Sequence, residues 1–159
     1  FAQHLTEVFD ARRTVLQEFK ASIGDPGERN LRTVLGGFGF RGEQVDQKIA
    51  DLSGGERTRL ALAITMANPV NLLILDEPTT GLSMADIHQL IDVLLRLRRN
   101  GHTVIIIEHH LDVIKCADWV LDLGPEGGEH GGSIVAEGTP SDVAANPSSY
   151  TGQHLKHLV

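Results

Sequence analysis

The strongest constraint on the fold is a pair of unbroken apolar runs, Asn-Leu-Leu-Ile-Leu-Asp at 71–76 and Thr-Val-Ile-Ile-Ile-Glu at 103–108, with one amphipathic stretch between them. Continuous runs of this length, rich in Ile and Val, are the pattern of strands buried on both faces. Between them Ile87, Leu90, Ile91, Leu94 and Leu97 recur at helical spacing, while Asp86, Gln89, Asp92, Arg96 and Arg99 fill the other face. Ser83 with Asp86 three residues on is a helix start, and Asn100-Gly101 a helix stop. Strand, helix, strand in this order predicts a βαβ unit, with two parallel strands joined by a right-handed crossover. Residues 119–123 and 133–136 are further candidate strands, and helices are expected over 111–117 and 152–158.

The first fifty residues read differently. Helical segments at 14–22 and 28–36 flank the breaker Gly24-Asp25-Pro26-Gly27, and Gly36-Gly37-Phe38-Gly39-Phe40 makes an irregular link. No strand is expected there. The predicted organisation is a helical subdomain over 1–67 attached to an α/β core over 68–159. At 159 residues the chain is the length of one domain, and no apolar run approaches the ~20 residues that span a bilayer, so no membrane insertion is expected.

A formal net charge of −7 gives the surface no general attraction for nucleic-acid phosphate. The densest basic group, Arg96, Arg98 and Arg99, reads as the solvated end of a helix, where cations suit the dipole. The lone Cys116 can form neither an internal disulfide nor a zinc cluster, which points to a reducing cytoplasm. Its apolar neighbours predict a buried thiol. The chain opens at Phe1 without an initiator methionine and reads as a cut through a larger protein.

Three places carry candidate chemistry. Leu52-Ser53-Gly54-Gly55-Glu56 precedes a predicted helix over 57–66, with Ser53 and Glu56 spaced as a capping box. Two glycines in a first helical turn each cost about 1 kcal/mol, so a plain cap does not explain them. Close approach of backbone N–H groups to an anion at the positive end of the helix dipole does. Asp76 and Glu77 end the first apolar run, and Pro78 stops it. Carboxylates at the carboxyl end of a parallel strand face the crevice where α/β sheets bind ligands; one can hold magnesium through water while its neighbour orients or deprotonates an attacking water. His109 follows the second run, again at its carboxyl end. Gln3 alone carries no signal.

Taken together, the order of Gln3, the L-S-G-G-E run, four apolar residues into D-E-P-T, a glycine-leucine turn and a strand ending in His109 resembles the ATP-binding cassette (ABC) superfamily. The resemblance implies a partial P-loop NTPase core with parallel strands and an N-terminal helical signature subdomain. It implies ATP and Mg2+ as ligands and ATP hydrolysis as the activity. On it, Gln3 matches the Q-loop glutamine, which touches magnesium and the attacking water. Leu52, Ser53, Gly54, Gly55 and Glu56 match the signature, which binds the γ-phosphate of ATP held by a second cassette. Asp76 matches the Walker B aspartate and Glu77 the general base. Thr80, Gly81, Leu82 and Ser83 fall on the D-loop, and His109 on the switch histidine. The family's Walker A pattern, G-x-x-x-x-G-K-S/T, does not occur in the 159 residues, so the chain alone is expected to be inactive as an ATPase.

Within the superfamily two resemblances divide the chain. Residues 1–78 are similar to the ABC-F family, soluble tandem cassettes that act on ribosomes, through Phe1-Ala2-Gln3-His4, residues 31–40 and residues 51–63. Residues 79–159 are similar to the UvrA family of nucleotide-excision-repair ATPases, through Ile107-Glu108-His109, residues 111–115, Asp122-Leu123-Gly124-Pro125-Glu126-Gly127-Gly128 and Tyr150-Thr151-Gly152. The Asp-Leu-Gly-Pro-Glu-Gly-Gly stretch is not needed for hydrolysis and so points to the subfamily, which favours the UvrA type. That choice implies DNA and repair proteins as partners; the ABC-F alternative implies the ribosome. An ABC transporter's ATPase subunit and a non-hydrolysing dimerisation module remain as further readings.

Overall fold

The computed structural model describes residues 9–23, 28–67, 71–124 and 132–159. The chain divides into two compact units, Phe1–Ile107 and Glu108–Val159.

The first unit opens with helices α1 (Val15–Ile23) and α2 (Glu28–Gly37), followed by two short 3-10 turns, Gly42–Asp46 and Ile49–Asp51. Helix α3 (Gly54–Met66), strand β1 (Leu72–Asp76), helix α4 (Met84–Arg99) and strand β2 (Thr103–Ile107) complete it. β1 and β2 are parallel, in register from Leu72 opposite Thr103 to Asp76 opposite Ile107. The expected βαβ unit is therefore present, with α4 beginning on Ser83 and ending on Asn100, and Gly101 in the left-handed conformation (φ 88°). One apolar cluster holds the unit together. Val15, Phe19, Leu31 and Leu35 from α1 and α2 meet Leu60 and Leu62 of α3, Leu73 and Leu75 of β1, and Leu90, Val93, Leu94 and Leu97 of α4. Each such side chain contributes about 1.5–3 kcal/mol when fully buried, which sets α3 firmly against both α1 and the βαβ unit.

The strands depart from expectation. Continuous apolar runs predicted burial on both faces, but only Leu73 and Leu75 of β1 are buried, and β2 alternates between exposed and half-buried. Leu72, Ile74, Ile105 and Ile107 are each about half exposed. β1 pairs with β2 alone among the described residues, and the cluster above takes only one of the two faces.

The second unit contains α5 (Leu111–Ile114), an antiparallel pair β3 (Val120–Gly124) and β4 (Ser133–Gly138), α6 (Pro140–Ala145) and α7 (Tyr150–Leu155). Helix α5 is shorter than the expected 111–117, and α7 starts two residues earlier than expected. Helix α6 was not foreseen, although Thr139-Pro140 with Asp142 is a start signal: a cap, a proline at N1 and a carboxylate at N3. Val143, Ala144, Ala136 and Leu155 form the small core. Asp122 ties α7 to β3 by accepting from Ser149 Oγ (2.5 Å) and Thr151 Oγ1 (2.8 Å), and Ser149 is fully buried. Cys116 is half-buried rather than enclosed.

Candidate functional site

The turn at 52–56 is built twice over. Buried Leu52 anchors it to the core, and Ser53 leaves the extended region (φ −64°, ψ 165°) to start α3. The Ser53 hydroxyl accepts from the Glu56 N–H (3.1 Å), and the Glu56 carboxylate accepts from the Ser53 N–H (2.8 Å). This is the predicted capping box, and the helix begins at Gly54 rather than at 57.

A second layer of contacts reaches the turn from α4, thirty residues on. The Ser53 hydroxyl lies 3.4 Å from Asp86 Oδ1, and Arg59 Nη1 lies 3.4 Å from the same oxygen. The other Asp86 oxygen accepts from Ser83 Oγ at 2.7 Å. Arg59 is buried, its side chain 4% exposed, and its guanidinium stands 5.9 Å from the centre of the Phe40 ring. Both glycines are packed from this side. A Cβ on Gly55 would overlap Asp86 Cβ, Cγ and Oδ1, and one on Gly54 would touch Leu82 Cδ2 at 3.7 Å. Gly55 is thus required by a neighbouring carboxylate, whatever else it serves. Ser53 and Gly54 remain exposed, Gly55 is buried, and the Glu56 N–H is taken by the Ser53 hydroxyl, so the exposed part of this 13-residue helix's start is Ser53-Gly54.

At the end of β1, Asp76 and Glu77 are both exposed and Pro78 is buried. The Glu77 N–H donates to the Ile107 carbonyl (2.9 Å), extending the parallel ladder by one bond. Glu77 then turns into the left-handed region (φ 44°), which for a non-glycine residue costs roughly 1–2 kcal/mol. The turn that follows is held by Thr80 N–H to the Glu77 carbonyl (3.1 Å), Leu82 N–H to the Thr79 carbonyl (3.0 Å) and Thr80 Oγ1 to Glu77 Oε2 (3.4 Å). Gly81 (φ 75°) supplies the reversal, and Ser83 delivers the chain into α4. The Glu77 carboxylate is thereby held at the turn by Thr80, next in sequence to Asp76 at the strand's end.

His109 belongs to the second unit and is exposed. The N–H groups of His109 and His110 both donate to Glu108 Oε2, each at 3.0 Å, which fixes the backbone turn into α5. Gln3 lies outside the described residues. The structure thus brings Ser53, Gly54 and Gly55 against Leu82 and Ser83 through Asp86, and sets Asp76 beside Glu77.

Two residues of this arrangement were missed in the sequence. Asp86 reads there as the helix-start partner of Ser83 and as helix surface, without its contacts to Ser53 and Arg59, and Arg59 has no role. The sequence carries no clear signal for Arg59, which ends the polar run Glu56-Arg57-Thr58-Arg59 just before the apolar Leu60-Ala61-Leu62-Ala63.

With this geometry in view, comparison with known proteins is direct. The ABC transporter family model matches residues 3–80, which contain Gln3, the 52–56 turn and Asp76-Glu77. UvrABC system protein A of Aquifex aeolicus is 52% identical over 146 residues, covering 90% of this chain and 16% of that protein. The Deinococcus radiodurans protein of the same name is 49% identical over 135 residues, covering 82% of this chain and 13% of its own length. The chain therefore spans about a sixth or less of the length of these relatives. The crystal structure of UvrA2 from Deinococcus radiodurans superposes with a TM-score of 0.69 at 35% identity, covering 97% of this chain and 20% of that one. The ATP-binding cassette MJ0796 shares the fold, with a TM-score of 0.59 at 20% identity over 72% of this chain and 53% of that one. Residues 79–159 number only 81, so a UvrA match over 146 residues runs through the first part of the chain as well, where ABC-F likeness was noted. The chain belongs to the ATP-binding cassette superfamily, and over most of its length its relatives there are UvrA proteins.

Proposed function

We propose that this chain is the signature- and Walker B-bearing part of an ATP-hydrolysing cassette in a UvrA-like protein that couples ATP turnover to recognition of damaged DNA. The observation that carries the reading is the roughly half identity to UvrA proteins over more than four-fifths of the chain. It is supported by two half-sites of the right chemistry. The exposed Ser53 and Gly54 at the start of α3 offer the helix's N-terminal end and the Ser53 hydroxyl to the γ-phosphate of ATP held by a second cassette. At the end of β1 the hard oxygen donors of Asp76 suit Mg2+. No group of three metal-ligating side chains occurs among the described residues, which fits an ion held by a single carboxylate, water and the nucleotide's own phosphates. Bound magnesium would neutralise charge on the phosphates.

Glu77 is the base in this reading. Its carboxylate takes a proton from water as the water oxygen attacks the γ-phosphorus and the bond to the β-phosphate oxygen breaks, releasing ADP. Gln3 and His109 position that water, residues 80–83 relay its state, and opening and closing against the second cassette is the output. Functionally, residues 1–67 form the signature subdomain and residues 68–159 the Walker B side of the core. The setting is cytoplasmic, with DNA and repair proteins as partners. Among the described residues no helix is long and apolar enough to cross a membrane. The ABC-F reading, with the ribosome as partner, rests on residues 31–40 and 51–63 and predicts stimulation by ribosomes instead of DNA.

The test is Glu77→Gln in a protein that carries this chain together with a phosphate-binding loop. Steady-state ATPase should fall by about 10²- to 10⁴-fold, the usual contribution of a general base, with ATP binding retained. ATPase at the wild-type rate would remove Glu77 from that role. Stimulation by damaged duplex DNA, and none by ribosomes, is the expected partner response.

A further inference from the structure

The contacts of Asp86 serve more than one helix. Locally it completes the start of α4: its N–H donates to Ser83 Oγ (3.3 Å), and its carboxylate accepts from the same hydroxyl (2.7 Å). For that purpose a carboxylate facing its own cap is enough. Yet the second oxygen reaches Ser53 and the buried Arg59, and the side chain occupies the space that a Cβ on Gly55 would take. Next to it Leu82 Cδ2 lies where a Cβ on Gly54 would meet it at 3.7 Å, an ordinary van der Waals distance. Gly55 is therefore covered by Asp86, the exposed Gly54 has Leu82 nearby, and Arg59, one helical turn further along α3, joins the same Asp86 oxygen.

We propose that Asp86 is a positioning residue that locks the signature turn (52–56) to the D-loop turn (80–83), so that a displacement of one carries the other with it. The functional meaning of this lock rests on the reading of those turns given above; the mechanical claim does not. Two observations carry it: the Asp86 oxygen shared between Ser53 and Arg59, and the Asp86 side chain filling the space that any side chain at Gly55 would need. The Ser53 hydroxyl has one proton. While that proton is directed to Asp86 and the oxygen accepts from Glu56, it is withheld from any other acceptor. An anion arriving at the first turn of α3 competes with Asp86 for it, and this is how occupancy at one turn is felt at the other.

The experiment uses the 159-residue chain and needs no nucleotide. Amide hydrogen exchange is measured by NMR at Ser53 and Glu56 on one side, and at Asp86 and Ile87 on the other. Ser83→Ala should accelerate exchange only at Asp86 and Ile87, because it removes a local cap. Asp86→Ala should accelerate both groups by about tenfold or more, since it releases both turns. Asp86→Asn keeps the shape and one acceptor oxygen, and should restore most of the protection at both turns. If Asp86→Ala lowers overall order too far, Arg59→Met provides a second route to the same loosening of both turns. Asp86→Ala or Arg59→Met that speeds exchange at α4 alone, leaving Ser53 and Glu56 at wild-type rates, would overturn the lock. Loss of the functional reading through the Glu77→Gln experiment would leave these exchange results standing, so the two failures are separable.

Discussion

Helices α3 and α6 begin in the same way but are embedded differently. Ser53-x-x-Glu56 and Thr139-x-x-Asp142 are both capping boxes, each with hydroxyl and carboxylate reciprocally bonded to backbone N–H groups. At Thr139 the device is self-contained: the hydroxyl donates to its own box partner, Asp142 (2.6 Å). At Ser53 the hydroxyl instead faces Asp86, 33 residues along the chain, together with buried Arg59. Each turn has a glycine whose missing side chain matters. Gly138 (φ 143°) makes room for Asp142, four residues away, and Gly55 for the distant Asp86. One box caps a helix. The other caps a helix and joins two parts of the chain that a proposed ATPase would use together.

The largest way to break this comparison is to fill the glycines. Gly55→Ala must push Asp86 Cβ and its carboxylate aside, and Asp86 cannot yield without moving α4 or surrendering Arg59. Overpacking of this kind typically costs 1–3 kcal/mol, and we expect the upper half of that range, about 2–3 kcal/mol, in urea unfolding of the chain. Gly138→Ala meets Asp142 Cβ at 2.8 Å in an unfavourable backbone region, and should cost about 1–2 kcal/mol, localised to α6. Equal costs at the two positions, or a larger one at Gly138, would show that the long-range contact adds nothing to the local one.

A smaller and sharper difference is expected from the caps. Ser53→Ala and Thr139→Ala each lose an N-cap hydroxyl, worth typically about 1 kcal/mol. The distinction lies in additivity. In a double-mutant cycle with Asp86→Ala, Ser53→Ala should couple by about 0.5 kcal/mol or more, since both act on one hydrogen-bonded network. Thr139→Ala combined with Asp86→Ala should add within about 0.3–0.5 kcal/mol, because the Thr139 hydroxyl is bonded to Asp142 of its own helix and not to the Asp86 network. Coupling of the same size for both pairs would remove the contrast drawn here.

These contrasts also mark where the sequence was legible. The βαβ unit, the box at Ser53 and Glu56, the cap at Ser83 and the stop at Asn100-Gly101 depend on residues within a few positions of one another, and periodicity or spacing exposes them. The roles of Asp86 and Arg59 depend on a contact across 27 residues, which no local pattern encodes; Asp86 on a helix surface and an arginine within α3 are ordinary sights. The glycines show the same limit. Gly54 and Gly55 are unusual in a first helical turn and spacing suggested room for an anion, whereas tertiary packing against Asp86 gives Gly55 a further reason to be small. Strand burial failed for a related cause. Leu72, Ile74, Ile105 and Ile107 are apolar enough for an interior, while the described residues cover only the opposite face. The left-handed turn at Glu77 also escaped notice, since a glutamate before Pro78 carries no sequence sign of positive φ.

The smallest expected effect concerns acid. The Asp142 carboxylate is held below its ordinary value of 3.8 by the Thr139 hydroxyl first, and then by the Thr139 N–H (2.9 Å). A carboxylate whose folded value is depressed adds stability above its unfolded value, and that contribution is lost as pH falls through the folded one. The α6 cap should therefore weaken as pH drops below about 4, the ordinary carboxylate range. Exchange of the Thr139 and Asp142 amides followed by NMR from pH 6 downward should rise above the intrinsic acid trend in that window. Asp142→Asn should flatten this rise, because its amide oxygen accepts the same bonds without titrating. A wild-type profile that tracks the Asn variant throughout would mean that the Thr139 hydroxyl does not distinguish the charged from the neutral acid, and that the self-contained box is a matter of geometry alone.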